Sequence, residues 1–399
     1  MINRPDYIAA IEPFIDKPLV KILAGIRRCG KSTIFEMLRE ELLRRGIGED
    51  QIVCKRYTEM DIPENITAKQ MYDELVEAMA GKGHCYLLLD EIQEITGWER
   101  AVNSLLEGTD ADIYVTGSNS KLMSSEISTY LTGRYVSIPV YTLSFREYLD
   151  FKADNTLSRK ELLEEYIRFG GFPIIALSEY DAQNAYQIAN GIYHTVVSRD
   201  IVKRHRINKQ DLFDRVVKFI IENVGKTFSA NSISTFLKSE HRKVSVESIY
   251  NYLRWLEQAF IIYPCERYDL QGKSILKTQE KYYLADVSLK YALLGYNRKM
   301  LDGAMENIVF LELKRRGYDV YIGKNDTKEI DFVATRRDER IYVQVCVQLP
   351  EGSDREVGNL MEIKDHYPKY VVTLDELAAG NINGVKIVHL ADFLLAEDY

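Results

Sequence analysis

Cysteine is scarce in this 399-residue sequence and carries no pattern: Cys29, Cys54, Cys85, Cys265 and Cys346 are scattered, with no CxxC pair. That excludes a disulfide framework and a zinc knuckle, and leaves reduced thiols in strands and loops as the expectation. No apolar run approaches the roughly 18–20 residues that cross a bilayer. The opening MINRPDYIAA has neither the basic start nor the apolar core of a signal peptide, so a cytoplasmic protein without a membrane partner is expected. Surplus positive charge is also missing. The net charge of −8 gives no global attraction to nucleic acid. Nor is there a bias toward disorder, because 46% hydrophobic and 28% charged residues are ordinary for a globular chain. Single cores stop growing near about 250–300 residues, so two to four domains are expected.

What is present begins with LVKILAGIRRCGKST, an apolar strand followed directly by G-x-x-x-x-G-K-S and then by Ile34, Phe35, Leu38 and Leu42 at helical spacing. This is a P-loop. Gly25 and Gly30 let the backbone curl so that successive N–H groups face phosphate oxygens, with the helix dipole behind them. Lys31 is placed for the β- and γ-phosphates and Ser32 for Mg²⁺, with Thr33 toward the α-phosphate. Arg28 and Cys29 complete the candidate nucleotide-binding loop. A second buried strand, in HCYLLLDEIQ, ends in Asp90 and Glu91. Its C-terminal end is expected beside the P-loop, with Asp90 on the metal and Glu91 polarising the attacking water. The next strand, in ADIYVTGSNS, ends at Ser118 and Asn119. These two either orient that water and sense the γ-phosphate, or form a plain Ser/Asx turn.

The run GIRRCGKST, LLLDEIQ, VTGSNSKLMS, YLTGRY, LSFREYL and GGFP resembles the bacterial and archaeal AAA+-like ATPases that carry a C-terminal domain of unknown function. The resemblance covers nearly the whole chain and implies ATP and Mg²⁺ as cofactors. It also implies that Arg134 matches an arginine-finger or sensor position, acting in cis or in trans; a structural salt bridge is the other reading. The GGFP turn is similar to a Gly-x-Pro element in which proline, here Pro173, packs near adenine, although a helix stop explains the same residues. Residues 145–205 read as helices forming a lid.

Three further helical patterns follow, with Ser229 and Ser245 as candidate N-caps and Ile249, Leu253, Leu256 and Phe260 on one face of the third. A strand pair after them makes helix-turn-helix plus wing the natural reading. From Arg199 to Glu247 there are 11 Lys/Arg against 6 Asp/Glu, a local balance of +5 in an acidic chain. That is an electrostatic footprint for duplex DNA. The outward face of the third helix is mixed, with Glu247, Ser248, Asn251 and Arg254, which equally suits a spacer or a protein-docking module.

From about residue 300 the order helix, three strands, helix, strand is that of the restriction-endonuclease-like fold. By that resemblance Glu306 matches the helix acid and Asp331 the strand acid of a metal nuclease. Gln344 then stands where a carboxylate is required and Cys346 where lysine is required. A neutral amide oxygen is a weaker ligand for hard Mg²⁺, and a thiol cannot supply an ammonium. Glu329, on the same strand face as Asp331, is a candidate replacement acid, and Lys324 or Lys328 a candidate replacement lysine.

The expectation is therefore an α/β protein in four parts: a P-loop ATPase core over 1–145, a helical lid over 146–207, a winged helix over 208–285 and a restriction-endonuclease-like domain, catalytically degenerate, over 286–399. The expected function is Mg²⁺-dependent ATP binding with slow hydrolysis, switching an action on DNA or an unidentified protein partner. An ATP-dependent nuclease and a homo-oligomeric remodelling ring are the alternatives.

Overall fold

The computed structural model describes residues 2–399 apart from 60, 61, 64, 124–129, 132, 154, 178, 179, 208, 240–243 and 350–354. The chain forms two compact units, one of residues 1–140 with 258–260, the other of residues 141–257 with 261–399.

The first unit is a parallel sheet. Strands β1 (Val20–Ala24), β2 (Ile52–Arg56), β3 (Cys85–Asp90), β4 (Ala111–Gly117) and β5 (Tyr135–Pro139) lie in the order β2-β3-β4-β1-β5, every neighbouring pair parallel. Central strands of such a sheet are covered on both faces and so read as continuous apolar runs. Ile22, Leu23, Leu87, Leu89, Ile113 and Val115 are fully buried, each side chain contributing roughly 1.5–3 kcal/mol. Because β1, β3 and β4 run side by side, their C-terminal ends, Ala24, Asp90 and Gly117, meet along one edge. That edge carries the site.

The second unit holds an eight-stranded sheet in the order β12-β13-β11-β10-β9-β8-β6-β7. Its members are β6 (Ile262–Asp269), β7 (Ser274–Leu284), β8 (Asp319–Asn325), β9 (Lys328–Arg336), β10 (Glu339–Cys346), β11 (Lys369–Thr373), β12 (Gly380–Ile382) and β13 (Val385–His389). Helix Leu301–Arg315 precedes β8, and helix Arg355–Met361 joins β10 to its parallel neighbour β11. The strand pair expected as a separate wing, β6 and β7, is part of this sheet, with β6 parallel to β8 from Arg267 to Asp269. A boundary at 285 therefore does not divide two sheets. Alternating apolar and polar residues announce a strand but not its neighbour, which is why the pair reads as free-standing in sequence.

Ahead of the sheet come helices Phe145–Phe151, Arg159–Phe169, Ala182–Val196, Gln210–Glu222, Ala230–Ser239 and Val246–Gln258. Ser229 and Ser245 cap the last two, their hydroxyls accepting the N–H of Ser232 at 3.2 Å and of Ser248 at 3.1 Å. Ile249, Leu253 and Leu256 are buried, while outward Arg254 donates to Asn251 at 2.7 Å. Residue 132 of the LTGR stretch and the segment 240–243, with its two basic residues, lie outside the described residues. Among the described residues no helix is long and apolar enough to cross a membrane.

Candidate functional site

Between β1 and helix Lys31–Arg44 the chain makes the turn that the two glycines demand. Gly30 has φ +102°, and a Cβ on Gly25 would lie 1.9 Å from the carbonyl oxygen of Val140. Arg28 also takes a left-handed conformation, φ 71°, which a non-glycine residue adopts at a cost. The loop is braced from behind by Arg4, itself only 2% exposed, whose guanidinium donates to the Cys29 carbonyl at 2.8 Å. Lys31 is buried and donates to the carbonyls of Gly25 at 3.0 Å and Ile26 at 3.2 Å. Its ammonium thus sits inside the loop, neutralised by dipoles rather than by a close carboxylate; Glu91 is 3.9 Å away.

Asp90 ends β3 facing this loop. One carboxylate oxygen accepts the Ser32 hydroxyl at 2.7 Å and Arg56 Nε at 3.0 Å, and the other accepts the Thr116 hydroxyl. Glu91 turns the chain with φ 55°. Its N–H donates to Thr116 Oγ1 at 3.0 Å, and its carboxylate accepts Ser118 Oγ at 3.2 Å and the Gln93 amide. Ser118 and Asn119 are buried at the end of β4. Thr33 follows Ser32, half-buried in the first turn of the helix. Lys31, Ser32, Asp90, Glu91 and Ser118 are thus gathered at one edge by three adjacent strands. The donor set, a carboxylate touching a hydroxyl with a second carboxylate beside them, fits a hard, oxygen-seeking cation such as Mg²⁺. Sequence reasoning missed Thr116, which faces Asp90 from the end of β4, the strand that pairs with β3. It also missed Arg56, Arg4 and Gln93, for which the sequence carries no signal.

Arg134 is not gathered with this set. It precedes β5, its carbonyl accepting the Val20 N–H at the first residue of β1, whereas the P-loop follows the last. The length of β1, about 16 Å at roughly 3.3 Å per residue, separates the two ends. The guanidinium donates instead to Asn103 at 2.9 Å and Glu107 at 2.6 Å on helix Trp98–Gly108. Pro173 belongs to the second unit, at the first position of the short helix Pro173–Ala176. The turn before it is clamped: Gly171 N–H donates to buried Asp286 at 2.8 Å, and a Cβ on Gly170, φ +72°, would meet Asp286 at 1.8 Å.

In the second unit, Glu306 on helix Leu301–Arg315 and Asp331 on β9 do converge, around a residue that the sequence did not suggest. Lys281 on β7 places its ammonium 3.2 Å from Glu306, 2.9 Å from Glu329 and 3.8 Å from Asp331, with its side chain only 4% exposed. Burial alone would lower the Lys281 pKa, but Glu306, Asp331 and Glu329 together hold it above its usual value. Burial pushes Asp331 well up and raises Glu306, which also accepts the Tyr283 hydroxyl at 3.1 Å. The Gln344 side chain accepts the Asp331 N–H at 3.2 Å, and the Val345 N–H donates to Asp331 at 2.8 Å. Burial pushes the Cys346 thiol up to about 11, with Glu356 next in effect. Lys328 is turned away to pair with Glu362.

The three carboxylates surround an ammonium, and among the described residues no group of three or more His, Cys, Asp or Glu is arranged to hold a metal ion. The lysine shown to reach the acids is Lys281 of β7, while the candidate Lys328 pairs with Glu362 instead. Strand alternation offered a hint, because Lys281 shares its face with fully buried Tyr283.

Comparison with known proteins accords with this geometry. An AAA-domain family model matches residues 17–149, and a model of a domain of unknown function (DUF8612) matches residues 160–299. A protein of Haemophilus influenzae, described as uncharacterised, is 36% identical over 99% of this chain and 99% of its own length. One of Methanocaldococcus jannaschii, described likewise, is 31% identical over 94% of this chain and 82% of its own. Among solved structures, a Walker-type ATPase of Pyrococcus abyssi aligns with TM-score 0.52 at 15% identity, over 73% of this chain and 96% of that one. At that identity the likeness speaks for the fold alone.

Proposed function

This chain belongs to the family of those Haemophilus and Methanocaldococcus proteins and carries an AAA-type ATPase domain; on that premise we propose that it is a cytoplasmic, Mg²⁺-dependent ATP hydrolase that switches an action on DNA or a protein partner. The observation that carries the reading is the contact of Ser32 with Asp90 at 2.7 Å, with Glu91 held beside them by Ser118. In this reading the loop N–H groups from Gly25 to Thr33, Arg28 and Cys29 included, wrap the phosphates. Lys31 releases its own loop carbonyls to meet the β- and γ-phosphates. Ser32 and Asp90 hold Mg²⁺, which when bound offsets phosphate charge. Glu91 takes the proton of the attacking water, and Ser118 and Asn119 orient that water.

The second unit then divides into a helical lid over 146–207, a helix-turn-helix segment from 208 whose strand pair joins the following sheet, and a restriction-endonuclease-like domain that has lost metal chemistry. The helices over 210–258 are the route to duplex DNA. An arginine about one strand length from its own P-loop cannot reach its own nucleotide, so if Arg134 serves as a finger it serves a neighbouring copy. That is the observation favouring the remodelling-oligomer alternative. The nuclease alternative is disfavoured by Gln344 and Cys346, which stand where a carboxylate and a lysine are required. Steady-state ATP turnover with Mg²⁺ tests the reading: turnover that needs Lys31 and Glu91 supports it, and none above background in the full-length protein refutes it.

A further inference from the structure

A cleft of about 670 Å³ opens in the second unit between the tip of the β6–β7 hairpin and the segment that follows helix Arg355–Met361, within the roughly 300–1,000 Å³ range of ligand sites. Its two acids are already committed. Asp365 accepts the Tyr342 hydroxyl at 2.6 Å and pairs with Lys369 at 3.2 Å, while Glu362 pairs with Lys328. Its three cations, Lys273, Lys364 and Arg340, have no carboxylate partner among the described residues, and Arg340 bonds to tyrosines instead. The cleft is therefore electropositive in an acidic protein.

Flat groups adjoin the cleft, and of these Arg340, Tyr342 and Tyr367 line it directly. The rings of Tyr321 and Tyr268 lie 5.8 Å apart, the Arg340 guanidinium lies 5.6 Å from Tyr268 and 5.4 Å from Tyr367, and His366 stacks on Tyr367 at 4.7 Å and 26°. Tyr268, Tyr321, Arg340 and Tyr367 are each half-buried, and the three tyrosines pack against the core of the sheet. Unpaired cations recognise phosphates, and a ladder of aromatic and guanidinium planes recognises bases that are not stacked on each other. A phosphopeptide would use the cations and leave the ladder idle; a duplex keeps its bases stacked inside.

We propose that this cleft binds single-stranded nucleic acid, with Arg340 and Tyr367 stacking on bases and Lys273 and Lys364 holding the backbone. It is a binding site separate from the P-loop, lined by the tip of the β6–β7 hairpin and by none of the helices between 210 and 258, and it goes beyond the ATPase reading without depending on hydrolysis.

The test is fluorescence anisotropy on the full-length protein without ATP, using a labelled oligothymidine of about 15 nucleotides and the corresponding duplex. The single strand should bind more tightly than the duplex. Arg340→Ala and Tyr367→Ala should each weaken it about tenfold or more, with Tyr367→Phe restoring binding. The Lys273→Ala/Lys364→Ala double variant should flatten the slope of log K against log salt by about 1.4, or roughly 0.7 per lost phosphate contact. Unchanged ATP turnover and thermal unfolding show that each variant is folded and that any failure belongs to the cleft alone. No oligothymidine binding, equal binding by Arg340→Ala, or a preference for the duplex overturns the proposal.

Discussion

Each unit brings acids to a buried lysine, from a strand end and the turn after it in the first and from a helix and a strand in the second, and the position of that one cation separates them. In the first unit Lys31 is satisfied by the carbonyls of its own loop, which leaves Asp90 on hydroxyls and one half-exposed arginine. In the second, Lys281 is surrounded by Glu306, Glu329 and Asp331. In the second unit an internal ammonium competes with any metal ion for the carboxylate oxygens, whereas Asp90, beside a carbonyl-bound lysine, faces two hydroxyls and an arginine. Chemistry at such a site depends less on which residues are present than on where the cation rests.

Breaking the first half of this contrast should have the largest effect. Lys31→Ala removes charge-assisted contacts worth about 1.5–3 kcal/mol each, so ATP affinity in isothermal titration should fall at least about 100-fold. In the second half, Lys281→Met leaves Glu306 and Asp331 buried without their cation. Uncompensated buried charge costs roughly 3–5 kcal/mol, read as a lower denaturation midpoint, and adding Asp331→Asn should recover part of it. The same contrast predicts that plasmid DNA with Mg²⁺ or Mn²⁺ stays uncut; cutting abolished by Asp331→Ala would place a working metal site where Lys281 sits.

Gly170→Ala puts a Cβ against Asp286 and strains a left-handed turn, for about 1–3 kcal/mol of stability, while ATP affinity stays within about twofold. The smallest effect concerns Lys290, whose pKa burial lowers to about 8. Its unfolded pKa near 10.5 is higher, so the unfolded chain holds the proton across that interval and stability should rise as pH goes from about 8 toward 10. Lys290→Met should flatten that rise and be the more stable protein near pH 7, by on the order of 1–3 kcal/mol.

The P-loop site was legible because its chemistry is contiguous. Gly25, Gly30, Lys31 and Ser32 fall within eight residues of one strand-to-helix turn, and Asp90-Glu91 closes a second apolar run. A parallel sheet then has little choice about which strand ends meet. The second unit's order of helix, strands, helix and strand was equally readable from periodicity, with β12, β13 and helix Leu390–Leu395 beyond it. Lys281 was not readable. It precedes Glu306 by 25 residues and Asp331 by 50, and it reaches them only because β6 pairs with β8 and carries β7 into the sheet. Strand neighbours of that kind are set by long-range pairing that leaves no local mark. Arg134 shows the opposite case, a motif plain in sequence whose placement limits what it can serve.

Glu91→Gln tests the central claim, that the chemistry of this protein sits at Lys31, Ser32, Asp90 and Glu91, most directly. With ATP and Mg²⁺, the variant should bind ATP with affinity close to the parent's while turnover falls about 100-fold or more, the range expected when a positioned general base is removed. Turnover at the parental rate would contradict the account.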